Sequence, residues 1–187
     1  VTTVLLALVA AYQIFLAPPP EVKARIKHEY AADRHIENGE YETALQELDL
    51  ALGFAPGDYQ LLVQKGVVYL KLKNLSEADL AFNEALKNAD SPEFYYLEKA
   101  QDELVIGLNE EGALDAKNAI QANPQSAQGY LYLGQAYEYL GNLTEAYSMY
   151  ETASALADQQ GDAQLIATIR MRMGMMMQSM SLPTLQP

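Results

Sequence analysis

Two histidines and the acidic residues between them are the first side chains of this sequence in which chemistry would be sought. His28 and His35 are separated by two helical turns, and Glu29 and Asp33 lie between them. Imidazole nitrogens and carboxylate oxygens are common metal ligands and proton carriers, so this group could hold a metal ion. His35, however, shares its place in an internal repeat with two tyrosines. We therefore interpret both histidines as packing residues and predict no metal site.

The composition argues against most other reactive sites. The 187 residues include no cysteine, so disulfides, thiolate metal sites and cysteine nucleophiles are excluded. No phosphate-binding glycine loop, nucleophile elbow or HExxH motif occurs in the sequence. The net charge of −13 is opposite to the cationic surface that a nucleic-acid binder needs. We predict a protein that is not an enzyme, with no catalytic residue, no cofactor and no small-molecule substrate.

The first 17 residues form an uncharged, apolar segment. As a helix, residues 1–17 would span roughly 25 Å, slightly less than the roughly 30 Å hydrocarbon core of a bilayer. We interpret them as a single transmembrane helix, and we expect residues to precede Val1 because the sequence does not begin with methionine. A signal-peptide core is the main alternative, and a buried globular helix fits less well because the segment has no polar face. Three prolines follow directly, so residues 18–24 are predicted to be a stiff spacer.

The side of the membrane on which the rest of the chain lies is only weakly indicated. Lys23, Arg25 and Lys27 follow the prolines, and basic residues near a membrane segment favour the cytoplasmic side. The flank before Val1 is not visible, so the two flanks cannot be compared and both orientations stay open.

A period of 34 residues organises the remainder of the chain. Small residues recur at this spacing in three columns, which are Ala32, Gly66, Ala100 and Gly134, then Ala44, Ala78, Gly112 and Ala146, then Ala51, Ala85, Ala119 and Ala153. Each unit has room for two helices and a turn. Small residues at fixed places let the paired helices approach closely, and large residues in other columns fill the space that remains.

With these columns the chain resembles the tetratricopeptide repeat (TPR) family. The family's marker positions in the best unit hold Tyr130, Leu133, Gly134, Tyr137, Gly141, Ala146, Tyr150 and Ala153. The repeats are placed at 25–58, 59–92, 93–126 and 127–160, with a Met-rich capping helix and tail at 161–187. The resemblance implies an all-α, right-handed solenoid of four helix pairs and a C-terminal capping helix, preceded here by the transmembrane helix.

The third repeat departs most from the family's pattern. Lys99, Glu103 and Ala116 stand where packing residues are usual. We expect this repeat to be a softer joint in the array, or a place where a partner completes the packing.

The resemblance also implies that a partner binds the concave surface lined by the first helix of each repeat. The family's groove positions give Val63, Val67, Leu70, Phe94, Leu97, Gln101, Leu104, Leu131, Gln135 and Glu138. The cationic clamp by which some TPR proteins hold acidic chaperone tails cannot be assembled from them. The apolar middle of the groove instead predicts an amphipathic helix or an extended apolar peptide. Packing between repeats is the alternative explanation of the same side chains.

Six of the seven methionines lie between Met171 and Met180. Methionine is flexible and polarizable, so a Met-rich surface suits adaptable binding. We expect one face of this helix to cap the last repeat and another to contact a partner or the membrane. The candidates for that secondary contact are Met173, Met176, Met177 and Met180, and capping alone is the alternative.

Taken together, these patterns predict a non-catalytic, membrane-anchored TPR scaffold that mediates protein–protein interaction. It would be an accessory or assembly subunit of a membrane protein complex. Its expected partners are proteins, and the lipid bilayer through residues 1–17, but not nucleic acid. The alternative is a membrane-localised peptide-binding or chaperone-like adaptor for soluble clients.

Overall fold

The computed structural model describes residues 18–181, with side chains as far as Gln178. This part of the chain contains nine helices and no β-strand. The transmembrane helix predicted for residues 1–17 lies outside the described residues. Of the helices that are described, none combines the length and the apolar character needed to cross a membrane.

Eight of the described helices form four consecutive helical hairpins, and the ninth follows them. The helices are α1 Pro20–Glu37, α2 Tyr41–Phe54, α3 Tyr59–Lys71, α4 Leu75–Asn88, α5 Pro92–Val105, α6 Asn109–Ala122, α7 Ala127–Tyr139, α8 Leu143–Gln160 and α9 Ala163–Ser181. The first helices of neighbouring hairpins also touch, α3 with α5 and α5 with α7. The described chain is therefore an all-helical, TPR-like solenoid, as the columns predicted.

The predicted spacer over residues 18–24 is shorter in the structure, because α1 already begins at Pro20. Proline fits the first turn of a helix, where its missing N–H would have no intrahelical partner and its fixed φ suits helical backbone. Only Pro18 and Pro19 precede the helix among the described residues.

The turns inside the hairpins need left-handed backbone at one repeated position. Gly39, Gly107 and Gly141 adopt φ of +75°, +75° and +79° there, and Lys73 takes the equivalent place with φ of 61°. Glycine carries no steric penalty at such angles, which explains why it recurs 34 residues apart. At the start of α3, α5 and α7, a side-chain oxygen of Asp58, Ser91 or Ser126 accepts a backbone N–H.

The small-residue columns mark the closest contacts between paired helices. A Cβ atom added to Gly66 would lie 2.5 Å from Phe82 Cε1, and one added to Gly134 would lie 2.6 Å from Tyr150 Cε1. The aromatic ring of the second helix thus occupies the space that a side chain on the first helix would need. Tyr150 is completely buried as a result.

The last helix caps the array. Ile169 and Met176 are buried against the core of the fourth hairpin, and Met173 packs beside them. The end of the solenoid is thereby covered by side chains of the chain itself, as repeat arrays require.

The third hairpin contains a buried ionic cluster at the positions that depart from the family's pattern. Lys99 Nζ lies 2.7 Å from Asp115 Oδ2 and 3.6 Å from Glu103 Oε1, and 4.4 Å from the centroid of the Phe82 ring. Burial raises the pKa of Glu103 to about 9, with Asp115 acting in the same direction and Lys99 opposing it. Lys99 and Glu103 are therefore packed against each other inside the chain, and Ala116 is buried in the same part of the core.

Two glycine variants should separate close packing from helix propensity. Gly134→Ala should lower the free energy of unfolding by about 1–3 kcal/mol, because the new methyl group collides with the Tyr150 ring. In Gly174→Ala, on α9, the added Cβ has no other atom within 4 Å. Because alanine favours the helix more than glycine does, this variant should raise the free energy of unfolding by about 0.5–1 kcal/mol. Thermal unfolding followed by circular dichroism measures both. An unchanged melting temperature for Gly134→Ala would contradict the role assigned to the small-residue columns.

Candidate functional site

Most of the apolar side chains predicted to line the groove are buried in the hairpin cores. These are Val63, Val67, Leu97, Leu104 and Leu131, each no more than 7% exposed. They belong to the apolar clusters between paired and stacked helices, so they do not form an exposed stripe. The expectation of an accessible apolar stripe is corrected on this point. These side chains are buried by packing within the chain, so they are not accessible to a partner.

The other predicted groove residues are more accessible. Phe94 is 48% exposed, and Leu70 is half-buried. Gln101 is exposed and accepts a hydrogen bond from the Tyr132 hydroxyl, and Gln135 is half-buried. Of this set, Phe94 is the large apolar side chain that α5 presents to solvent.

Glu138 holds the capping helix in place. Its Oε2 accepts a hydrogen bond from the Tyr150 hydroxyl at 2.5 Å and lies 3.5 Å from Arg172 Nε of α9. Arg172 also donates to the Tyr139 hydroxyl. Glu138 therefore has a structural role between the fourth hairpin and α9, whatever else it contacts.

The predicted methionine contacts divide between the core and the surface. Met176 is buried and Met173 half-buried, so both cap the last hairpin, whereas Met177 is exposed. The side chain of Met180 lies outside the described residues. Met171 and Met175, which were not among the predicted contacts, are 59% and 53% exposed.

The most distinctive feature of the first-helix face is a cavity of about 340 Å³ between α1, α3 and α5. We call it the acidic cavity. Its lining consists of Asp33, Glu37, Glu98 and Asp102, the amides Gln64 and Gln101, and the apolar Ile36, Val67, Val68, Val105 and Ile106. None of these lining residues is basic.

Helical spacing places these side chains on one surface. On α5, Glu98, Asp102 and Val105 lie three or four residues apart and therefore face the same way. Gln64 Nε2 of α3 donates to Asp33 Oδ1 of α1 at 2.7 Å. This hydrogen bond joins α1 and α3 at the cavity.

The carboxylates of the acidic cavity are poorly compensated. Asp102 Oδ2 is buried and no donor in the described part of the chain reaches it. Burial, followed by the negative charges of Glu98 and Asp33, raises the pKa of Asp102 well above its ordinary value. Burial also raises the pKa of Glu98, although a hydrogen bond from Gln60 Nε2 at 2.9 Å acts against it. Amide groups thus donate to Asp33 and Glu98, whereas Asp102 Oδ2 receives no hydrogen bond from the described residues.

A second hollow adjoins the acidic cavity and shares Asp33, Gln64 and Glu98 with it. It contains Arg25, whose Nη1 lies 2.5 Å from Glu29 Oε1 and 3.0 Å from Asp58 Oδ2. Because this guanidinium already has two carboxylate partners, it leaves the acidic cavity uncompensated.

The histidines do not form a metal site in the structure. His28 Nδ1 lies 2.7 Å from Glu47 Oε2, and His35 hydrogen-bonds Glu40. His28 also stacks on Phe54 with ring centroids 6.2 Å apart. Among the residues with described positions, no group of three or more His, Asp or Glu side chains is arranged to hold a metal ion.

Comparison with known proteins identifies the repeats. Residues 59–91 and 127–160 match the tetratricopeptide repeat family, and they correspond to the second and fourth hairpins. The TPR repeats predicted at 59–92 and 127–160 are thereby confirmed.

Relatives and solved structures are similar over most of the described residues. Human tetratricopeptide repeat protein 16 is 26% identical over 76% of this chain and 17% of its own length. The cytochrome c-type biogenesis protein CcmH of Escherichia coli (strain K12) is 30% identical over 60% of this chain and 32% of its own. The chain thus spans less than a third of the length of either relative. A solved structure of MamA from Desulfovibrio magneticus RS-1 is 18% identical, with a TM-score of 0.43, over 89% of this chain and 100% of that one.

Removing the charge of Asp102 should stabilise the protein. In the unfolded chain an aspartate loses its proton at about pH 4. In the folded protein the pKa of Asp102 is raised, so above pH ~4 folding requires the carboxyl group either to keep a proton or to be buried as a charge. Either requirement lowers the free energy of unfolding. Asp102→Asn should therefore raise the melting temperature, with a larger gain at pH 8 than at pH 4. Asp79→Asn, at an exposed position of α4, is the matched control and should show little change. If Asp102→Asn melts below the wild type at pH 8, the Asp102 carboxylate is not the destabilising charge described above.

Proposed function

We propose that this protein is a non-catalytic scaffold that binds a partner protein on the face formed by its first helices, as an assembly subunit of a membrane protein complex. The acidic cavity between α1, α3 and α5 is the observation that carries the proposal. It is a concave, chemically distinct surface on a repeat fold whose cores are otherwise closed by its own side chains.

The similarity to a cytochrome c-type biogenesis protein supports an assembly role. Biogenesis is the making of another protein, and we propose that this chain contributes to such a process by holding a partner protein. The repeat region supplies the means, since a stack of hairpins gives an extended binding surface.

We further propose that residues 1–17 anchor the protein in the bilayer and that the repeats lie on the cytoplasmic side. The uncharged segment and the prolines after it support the anchor. Lys23, Arg25 and Lys27 support the orientation.

Purification of the intact chain from a mild detergent tests the scaffold directly. We expect a membrane protein to be recovered with it at fixed stoichiometry. Recovery of varied soluble clients in sub-stoichiometric amounts would contradict the scaffold and favour an adaptor. Protease treatment of sealed vesicles then tests the side, because repeats on the cytoplasmic face are protected only when that face points inward.

Phe94→Ala should weaken the recovered complex without altering the fold. Phe94 is half-exposed and lies one helical turn before Glu98 on α5. Loss of a buried phenyl contact is worth roughly 1.5–3 kcal/mol, which is about a 10- to 100-fold weaker affinity. Leu114→Ala, 60% exposed on the second helix of the same hairpin, is the control and should bind normally. If Leu114→Ala weakens the complex and Phe94→Ala does not, the partner binds the second helices instead.

The anchor has its own test. After a carbonate wash of the membranes, the full chain should stay in the pellet, because a spanning helix is not released by removal of electrostatic contacts. A variant in which a Gly/Ser linker replaces residues 1–17 should be released. Release of the unaltered protein would show that the segment does not anchor it.

A further inference from the structure

We propose that the acidic cavity is the docking point for one Lys or Arg side chain of the partner polypeptide, which would lie among Asp33, Glu98 and Asp102. The inference deepens the proposed function and rests on it, because the side chain is taken to belong to the scaffold's partner.

The unpaired carboxylate of Asp102 is the first feature that points to a cation. Its buried Oδ2 has no hydrogen-bond donor in the described part of the chain, and it lines the cavity together with Asp33 and Glu98. A buried acceptor without a partner costs free energy, and a charge-assisted hydrogen bond removes that cost. An ammonium or guanidinium group brings several N–H donors and a positive charge at once.

The shape and lining of the cavity are the second feature. A volume of about 340 Å³ accommodates a long side chain, and the exposed Val105 gives its wall apolar surface beside the acidic residues. Lysine and arginine carry an aliphatic stem beneath a charged head, so they match a cavity with both apolar and acidic walls. A bare metal ion fits less well, since the described residues contain no ligand group arranged for one.

The surroundings indicate what flanks the basic residue. Phe94 and Val105 are 48% and 62% exposed and lie on the same side of α5 as Glu98. A partner segment with one basic residue between apolar ones would place its charge in the cavity and its apolar side chains on these two residues. The partner is therefore an amphipathic segment with a single basic anchor.

Within residues 18–181, no basic side chain lines the cavity. Lys71 Nζ donates to the Ile106 carbonyl at 2.6 Å, so it is held at the edge of the cavity. The other charged or titratable groups facing Asp102 are Asp33 and Glu37 on α1, Glu98 on α5 and the Tyr132 hydroxyl on α7. An incoming cation consequently meets a surface with an excess of acceptors.

Fluorescence anisotropy with the full chain in a mild detergent tests the proposal. The probe is a short labelled peptide of alternating Leu and Ser with one central Arg, and matched peptides carry norleucine or Glu there. We expect the Arg peptide to bind at least about tenfold more tightly than either. A peptide with norleucine that binds as tightly would overturn the proposal.

The site variant is Asp33→Asn/Glu98→Gln/Asp102→Asn. Its matched control is Glu77→Gln/Asp79→Asn/Glu84→Gln, which removes the same charge from exposed positions of α4. The site variant should abolish the preference for Arg, and the control should keep it. If both variants lose the preference for the Arg peptide equally, the attraction comes from the overall negative charge, and the proposed site is wrong. If the site variant loses helicity, Glu37→Gln and Glu98→Gln as single variants serve in its place and must each weaken only the Arg peptide.

The pH dependence gives an independent readout. A cation that pairs with Asp102 displaces the proton which the raised pKa favours, so affinity for the Arg peptide should rise from pH 5 to pH 8. Arginine stays charged throughout, and Asp102→Asn should flatten the rise. A pH-independent affinity in the wild type would count against the site.

The outcomes separate this proposal from the scaffold itself. If the site variant still purifies with a stoichiometric membrane partner, the scaffold stands and the cation site is wrong. If the Arg peptide binds with the expected preference but no stoichiometric partner is recovered from membranes, the cavity stands and the proposed assembly function is wrong.

Discussion

The close contact between a small residue on one helix and a ring on its partner is the constraint on which the rest of the structure depends. Gly66 against Phe82 and Gly134 against Tyr150 leave no room for even a methyl group. This contact fixes the spacing within the second and fourth hairpins, and first helices of neighbouring hairpins then stack, α3 with α5 and α5 with α7. The acidic cavity lies among three first helices, α1, α3 and α5, on the side away from these contacts' second helices.

The same constraint decides which side chains a partner can reach. On α3 most apolar residues are buried in packing, whereas α5 leaves Phe94 and Val105 exposed beside its polar residues. Helix α5 shows both sides of this division. Glu103 faces the hairpin and the ionic cluster with Lys99, whereas the adjacent Asp102 faces the cavity, as expected for neighbours about 100° apart around a helix.

The repeats could be predicted from sequence because each close contact leaves a strict residue type every 34 positions. The cavity could not, since its acidic residues are separated by more than 60 positions, Asp33 from Glu98 and Asp102. In one sequence they are indistinguishable from the carboxylates of outer faces. Val63 and Leu97 were predicted to be accessible but are buried, for a related reason. The repeat column gives the side of the helix to which a side chain points, but packing of the neighbouring hairpin determines whether that side chain is exposed. A signal was nonetheless present, because Asp33 and Gln101 share one column of the first helices.

Net charge and local charge act differently in this protein. The overall charge of −13 can attract a basic partner from a distance, but salt screens that attraction over about 10 Å at ~0.1 M. The buried oxygen of Asp102 acts only at contact and is far less exposed to screening. For a partner that docks as proposed, distant charges would affect how quickly it arrives, whereas the cavity would affect how long it stays. Asp102 lies on α5 at the acidic cavity, so the proposed local specificity would arise from one helix of the stack rather than from the charge of the whole chain.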